Sequence, residues 1–358
     1  MQKNRLVNII KIAFVIIGTL VGAGFASGKE IYSFFFIYGI AGVVGIIISS
    51  VLIGLIIYRV FNICNKKEID SYKKFCNNIG RARFLKGELI NNVINLFLLI
   101  SFFVMIAGFS SFLNQEFSIN RVVGSVIILL ISYFIFLKNI NGLIKLNDYL
   151  IPFLIVFILF VSFKNIDFTG GLTLKIFNDL LAKSSGEPSM QCRTKIVIAV
   201  IKSFLYASYN CVVLIPVLIP LRSKIKCKTD NIILATICTG IVLLLSLAVL
   251  NLLLHGNSDI FKLEMPVIGV VKKSGRLLKN IYTVTIGVSI LTSAISAGCA
   301  FLNNCSKGEK QFKKNLKLML ISAIFISQIS FSTFVELLYP VLGLIGLVEI
   351  CLLIQIEK

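Results

Sequence analysis

Between Gly18 and Glu30 the chain reads GTLVGAGFASGKE, a stretch that lies inside an apolar run. Gly22, Gly24 and Gly28 make a departure from helical geometry cheap in backbone conformation. A helix broken here leaves the carbonyls from Gly18 to Val21 open at the end of its first half, where they suit a cation. It leaves amides from about Ala26 to Lys29 open at the start of its second half, where they suit a carboxylate. Ala23, Phe25 and Ser27 complete the broken stretch, and Phe25 either walls a pocket or packs. Lys29 and Glu30 add two ionisable groups, which within a membrane span are functional candidates by default. The same glycines also fit a close helix crossing, where small residues let two backbones approach.

A second polar group follows roughly half a chain later, in IAVIKSFLYASYNCVVLIPVLIP. Lys202, Tyr206, Ser208, Tyr209 and Asn210 interrupt that apolar run, and Pro216 and Pro220 come after them. No glycine marks a break here. Two interrupted spans at matching places in two halves are the pattern of a transporter built from inverted repeats, with its site near the bilayer midplane. The expected substrate site is therefore Gly22 to Ser27 with Tyr206, Ser208, Tyr209 and Asn210. Glu30 and Lys202 stand close to the two interruptions. Either carries a proton, or the two form a structural ion pair.

These groups need helices to position them. The 358 residues are 57% hydrophobic and only 15% charged, far less polar than a soluble domain of this length. The apolar runs are solid rather than alternating, which excludes a transmembrane barrel. Spans are expected at about 7–36 (interrupted), 39–62, 88–113, 119–137, 147–163, 194–220 (interrupted), 230–254, 278–302, 314–332 and 335–356. The fold class is thus an all-α, ten-span membrane protein. Residues 1–163 form one five-helix repeat, 164–193 an outer linker and 194–358 a second repeat. An odd number of spans per repeat inverts one half relative to the other. Lys and Arg gather in the N-terminal tail, 59–87, 138–146, 222–229 and 305–317, which places both termini in the cytoplasm. Residues 64–87 read as a basic amphipathic helix on the inner face, and 165–193 as a polar outer segment. Residues 257–276 read as an outer hairpin bent at Pro266, by default a solvated loop.

The net charge of +20 faces anionic lipid heads rather than nucleic acid, for which no aromatic-plus-basic module exists. The nine cysteines lack metal-type spacing and read as small buried hydrophobes. One histidine, His255, makes no metal site. Glu336 and Glu349 bracket Pro340 in the last span, lining an aqueous cavity or the interface. The 16 acidic residues form no cluster at one membrane face, and no G-x-x-x-x-G-K-[ST] loop is present. Neither an enzyme nor an ATP-driven pump is expected.

The stretch GTLVGAGFASGKE, the ten spans and SILTSAISAG in the eighth span resemble the YkvI family of bacterial membrane proteins. More distantly the chain is similar to the amino acid–polyamine–organocation superfamily and to sodium symporters of the LeuT fold. Their G-x-x-V-G-x-G pattern is matched by Gly18, Val21, Gly22 and Gly24, and their L-T-S pattern by Leu291, Thr292 and Ser293. The resemblance implies multi-pass placement in the bacterial cell membrane and a secondary transporter of a small, amino acid-like solute. It implies a sodium ion held by the carbonyls of Gly18, Val21 and Ser289 and the hydroxyls of Thr292 and Ser293, with no other cofactor. Thr19 stands where relatives with a second sodium carry Asn. The fifth span lacks the Lys that replaces sodium in some proton-coupled relatives. Partners are then the solute, a monovalent cation and the bilayer. Spore-germination subunits share this general architecture, so a nutrient-sensing permease-like receptor is the alternative.

Overall fold

A bilayer offers no water to backbone amides and carbonyls, so an apolar run of about 20 residues must satisfy them as a helix. The computed structural model describes residues 2–69, 74–75, 87–138, 141–165, 189–225, 227–306 and 308–355. Those residues are helical nearly throughout, with no strand among them. Each of the ten expected spans overlaps helix. The first is divided into α1 (Gln2–Leu20), α2 (Ala23–Ser27) and α3 (Lys29–Phe34), and a short 3-10 turn (Phe36–Tyr38) leads into α4 (Ile40–Lys66). Next come α5 (Gly87–Phe117), α6 (Arg121–Lys138), α7 (Asn141–Lys164), α8 (Ser189–Leu221) and α9 (Lys228–Leu254). Two short helices, α10 (Ser258–Phe261) and α11 (Pro266–Lys273), precede α12 (Arg276–Cys305) and α13 (Glu309–Ile326). Finally α14 (Phe331–Thr333) runs through a π turn (Phe334–Leu338) into α15 (Tyr339–Gln355).

Among the described residues, six stretches are long and apolar enough to cross a membrane: Ile40–Lys66, Asn95–Phe117, Arg193–Lys224, Lys228–Leu254, Arg276–Cys305 and Phe331–Cys351. Large apolar side chains such as Leu55, Val156, Phe163, Val284 and Phe325 point outward, as lipid-facing residues must. The chain is a polytopic helical membrane protein. The inner-face segment expected at 64–87 and the outer segment expected at 165–193 fall mostly outside the described residues.

One expectation is overturned. The sixth span is not interrupted: α8 is continuous through Lys202 and Asn210, with Pro216 and Pro220 inside it. Its polar side chains explain why. Ser203 donates to the Ala199 carbonyl at 2.6 Å, Ser208 to Phe204 at 2.6 Å and Asn210 to Tyr206 at 2.9 Å. Each bonds back to the carbonyl four residues earlier, so the helix satisfies its own polar groups and need not open.

α8 packs tightly against the last helix. A Cβ at Gly346 would lie 2.1 Å from the Ser208 carbonyl oxygen, and one at Gly343 would lie 2.6 Å from that of Leu205. These glycines let the two backbones touch. Near the N-terminus, Arg5 pairs with Asp230 at 2.6 Å and the Asn231 amide donates to the Tyr58 carbonyl at 2.9 Å.

The hairpin expected at 257–276 does bend at Pro266, the first residue of α11, but it is no solvated loop. Val267, Ile268, Val270 and Val271 are buried. Glu264 ties it down, accepting from Arg121 at 3.1 Å and from the Ser332 amide and hydroxyl at 2.8 and 2.7 Å. Gln115 accepts from the Met265 amide at 2.9 Å and donates to the Met265 carbonyl at 3.4 Å.

Gly346→Val will separate α8 from α15, because a backbone carbonyl cannot yield as a side chain can. Such overpacking costs about 1–3 kcal/mol, and thermal unfolding followed by size-exclusion chromatography in detergent should register it as a lowered midpoint.

Candidate functional site

The first-span helix ends where the glycines begin. Its last backbone bond runs from the Val21 amide to the Ile17 carbonyl at 2.7 Å, and the ladder resumes with the Ala26 amide on the Gly22 carbonyl at 3.0 Å. The carbonyls of Gly18 to Val21 are thereby left outside the ladder, as expected. The second half departs from expectation. The Gly28 amide donates to the Phe25 carbonyl at 3.0 Å and the Lys29 amide to the Ser27 hydroxyl at 3.3 Å. With the Ala26 amide also engaged, three amides expected to be open are closed, because the chain re-enters helix at once as α2.

Gly28 joins α2 to α3 with φ at 81°, a left-handed conformation that favours glycine. A Cβ there would also lie 2.4 Å from Val267 Cγ2, so the Pro266 hairpin rests directly on this turn. The Ser27 hydroxyl donates to the Gly24 carbonyl at 2.9 Å. From α12, the Tyr282 hydroxyl donates to the Ala26 carbonyl at 2.6 Å. Phe25 is buried. The broken stretch is thus gripped by α8, α11 and α12 together.

Glu30 is the chemical centre of this arrangement. It is only 3% exposed, and its carboxyl receives the Tyr209 hydroxyl of α8. It folds back over the break, so that a Cβ at Gly24 would lie 2.0 Å from Oε1. An aromatic wall surrounds it. Tyr209 meets Tyr339 of α15 at 4.8 Å between ring centroids, Tyr206 at 5.4 Å and Phe34 at 5.9 Å, and Phe35 meets Tyr206 at 5.0 Å. At Gly22, by contrast, an added Cβ would meet nothing within 4 Å. The break therefore has a closed side at Gly24 and an open side at Gly22.

Lys29 turns away from Glu30. Its Nζ lies 3.3 Å from Glu336 Oε1, in the π turn of the last span, and 5.3 Å from the Tyr32 ring centroid. The lysine side chain is 5% exposed and the glutamate side chain 51%, so the pair joins the buried region to an open face. Lys202 lies over the Phe34 ring at 5.3 Å. Glu30 and Lys202, for which an ion pair was one of two alternatives, thus hold separate partners.

The structure gathers Gly24, Glu30, Tyr206 and Tyr209 into one unit. Ser208 and Asn210 lie on the same helix but spend their side chains on their own backbone. Of the residues implied to hold sodium, Gly18 faces α7, where a Cβ would lie 2.0 Å from Ile151 Cδ1. The Thr292 hydroxyl donates to the Ser289 carbonyl at 3.0 Å. Ser289 is seven residues beyond Tyr282, or about 10 Å further along the helix axis. Tyr339, Tyr282 and Val267 were not expected here; they come from distant segments, and no sequence signal marks them. Glu336 was readable as an ionisable group in a span, and its lysine partner was not. His255 caps the C-terminal end of α9, its ring N–H donating to the Asn251 carbonyl at 2.9 Å. Cys64, Cys211 and Cys238 are buried and unpaired, while Cys227 and Cys351 are exposed.

The chain resembles YkvI. It is 25% identical over 350 residues to the uncharacterized membrane protein YkvI of Bacillus subtilis (strain 168), across 94% of this chain and 92% of that one. It is 23% identical over 355 residues to the uncharacterized protein YyaD of the same organism, across 96% of each. A crystal structure of a mutant manganese transporter from Eremococcus coleocola matches with a TM-score of 0.50 at 14% identity, over 98% of this chain and 71% of that chain. At that identity the match speaks for the fold alone. No protein-family model matches the chain.

Gly24→Ala and Gly22→Ala separate the two sides of the break. The first drives Glu30 off Tyr209 and should destabilise the protein by about 1–3 kcal/mol, the usual cost of overpacking. The second has room and should leave the unfolding midpoint in detergent within about 0.5 kcal/mol of the native value after allowing for backbone effects.

Proposed function

We propose that this protein is a secondary transporter of a small organic solute, amino acid-like in class, working by alternating access with both termini inside. One observation carries the reading. A span is broken within the bilayer, and the break is closed over by α8, α12 and the outer hairpin rather than exposed to lipid. Irregular backbone at membrane depth is tolerated only where protein or a water-filled cavity covers it, and transporters place their sites at such breaks. The ten-span, five-plus-five arrangement belongs to the same proposal.

The solute takes the open side at Gly22, across the break from the aromatic wall that Tyr206 and Tyr209 raise around Glu30. Its binding favours closure of α2 and α3 against α8, as a ligand shifts an equilibrium by its differential affinity for two states. The Lys29–Glu336 pair is the polar contact that must part when the open face admits solute. The manganese of the fold neighbour is not carried over. Among the described residues no three His, Cys, Asp or Glu side chains come together, and the single carboxyl at the break, Glu30, offers too few ligands for a transition metal. The coupling ion is sodium, on the oxygens of Gly18, Val21, Ser289, Thr292 and Ser293, or a proton.

Purified protein in proteoliposomes should accumulate labelled amino acids under a sodium or a proton gradient. Flux indifferent to both gradients would refute coupling. If sodium binds as described, Thr292→Ala and Ser293→Ala each raise the sodium concentration needed for half-maximal uptake by at least about tenfold, the loss of roughly 1.4 kcal/mol. Unchanged sodium dependence in both variants removes that site.

A further inference from the structure

The transporter reading leaves the coupling ion open, and the surroundings of Glu30 decide between the two on grounds independent of sodium. This inference rests on that reading. Among the described residues the carboxyl has one polar partner, the Tyr209 hydroxyl. The charged and titratable groups around it are committed elsewhere or neutral. On its own helix, Lys29 is held by Glu336 and Tyr32 lies beneath that lysine. On α8, Lys202 lies over Phe34, and Tyr206 and Tyr209 are phenols. On α15 the facing group is Tyr339, and on α12 it is Tyr282, whose hydroxyl is spent on Ala26. At the Gly28 turn the nearest side chains from α9 and α11 are Val249, Leu253 and Val267.

A carboxylate so placed has lost its water and gained a single neutral donor. Burying an ionised carboxyl without a cation costs several kcal/mol even after relaxation. The neutral acid avoids that cost and keeps the bond to Tyr209. The arrangement seen here is therefore the one adopted with a proton on the carboxyl. Because Glu30 spans α3, the Gly24 side of the break and α8, any motion that opens the site to water must pull it from Tyr209 and hydrate it.

We propose that Glu30 is the proton-binding group of the transport cycle. A proton from water on one side adds to the carboxylate as α3 closes on Tyr209. The O–H bond breaks and the proton returns to water when they separate toward the other side. No other covalent bond changes, and one proton crosses with each solute.

Two measurements test this. In infrared spectra of the protein in lipid at neutral pH, a protonated carboxylic C=O band should be present. It should vanish in Glu30→Gln, an isostere that still accepts from Tyr209, and shift in Tyr209→Phe. Absence of the band in native protein, or its survival in Glu30→Gln, overturns the proposal whether or not transport is seen. In proteoliposomes with labelled amino acids, a gradient of one pH unit should support about tenfold accumulation by native protein, at one proton per solute. Glu30→Gln should exchange labelled for unlabelled solute at equal pH and lose that accumulation. Equal accumulation in both proteins overturns the proposal and leaves the transporter reading intact. No flux in native protein under any gradient sinks the transporter reading, and the infrared result still judges the proton on Glu30.

Discussion

Backbone polarity in a low-dielectric medium governs this molecule. The break at Val21 and Gly22, where the carbonyls of Gly18 to Val21 fall outside the helical ladder, sets a demand that the surrounding elements meet. α12 reaches in with Tyr282, α11 lies against Gly28, and α8 supplies Tyr209 to a carboxyl folded over the break. None of these contacts would be needed had the first span been a plain rod. The glycines serve different ends within the same few residues. Gly28 permits a left-handed turn, Gly24 makes room for a carboxyl, and Gly22 leaves space beside the chain.

Lys29 and Glu30 are neighbours in sequence, yet α3 hands one to the last span and the other to the sixth. Each is thereby tied to a different packing partner. A shift of α3 cannot preserve both ties unless α8 and the π turn move together, so this short helix couples two long ones. The Pro266 hairpin adds a third tie through Val267, and Glu264 links the hairpin to α6 and α14 in turn. The broken span is in contact, directly or through one neighbour, with most of the elements that could move.

Much of this was legible in the sequence. Apolar runs located the helices with ends up to six residues off, because an apolar run long enough to cross a bilayer must satisfy its backbone as helix. Gly22, Gly24 and Gly28 located the break, because backbone freedom is a local property. What failed was polar inference. Lys202, Ser208 and Asn210 suggest an interruption only if their side chains lack partners, and hydroxyls and amides that bond back four residues leave no trace in the pattern. The amides after Ala26 were misjudged for a related reason: a five-residue helix satisfied them at once. Tyr339 and Tyr282 stayed invisible because their roles arise from tertiary contact. The sodium oxygens implied by resemblance rest on that resemblance still, with Thr292 bonded to Ser289 within its own helix.

The π turn at Phe334–Leu338 has a geometric consequence of its own. A π turn inserts one surplus residue into a helix, which re-phases everything after it by about 100° relative to an uninterrupted α-helix. Upstream of it, Ser332 is fixed on Glu264; downstream, Tyr339 is fixed against Tyr209. The azimuth at which the last helix offers its tyrosine is therefore set by a single extra peptide unit. Relaxation of that unit into regular helix would turn the ring out of the aromatic wall and would also turn Gly343 and Gly346 away from the α8 backbone they touch, so the surplus residue and the glycine contact fix the last helix's azimuth together.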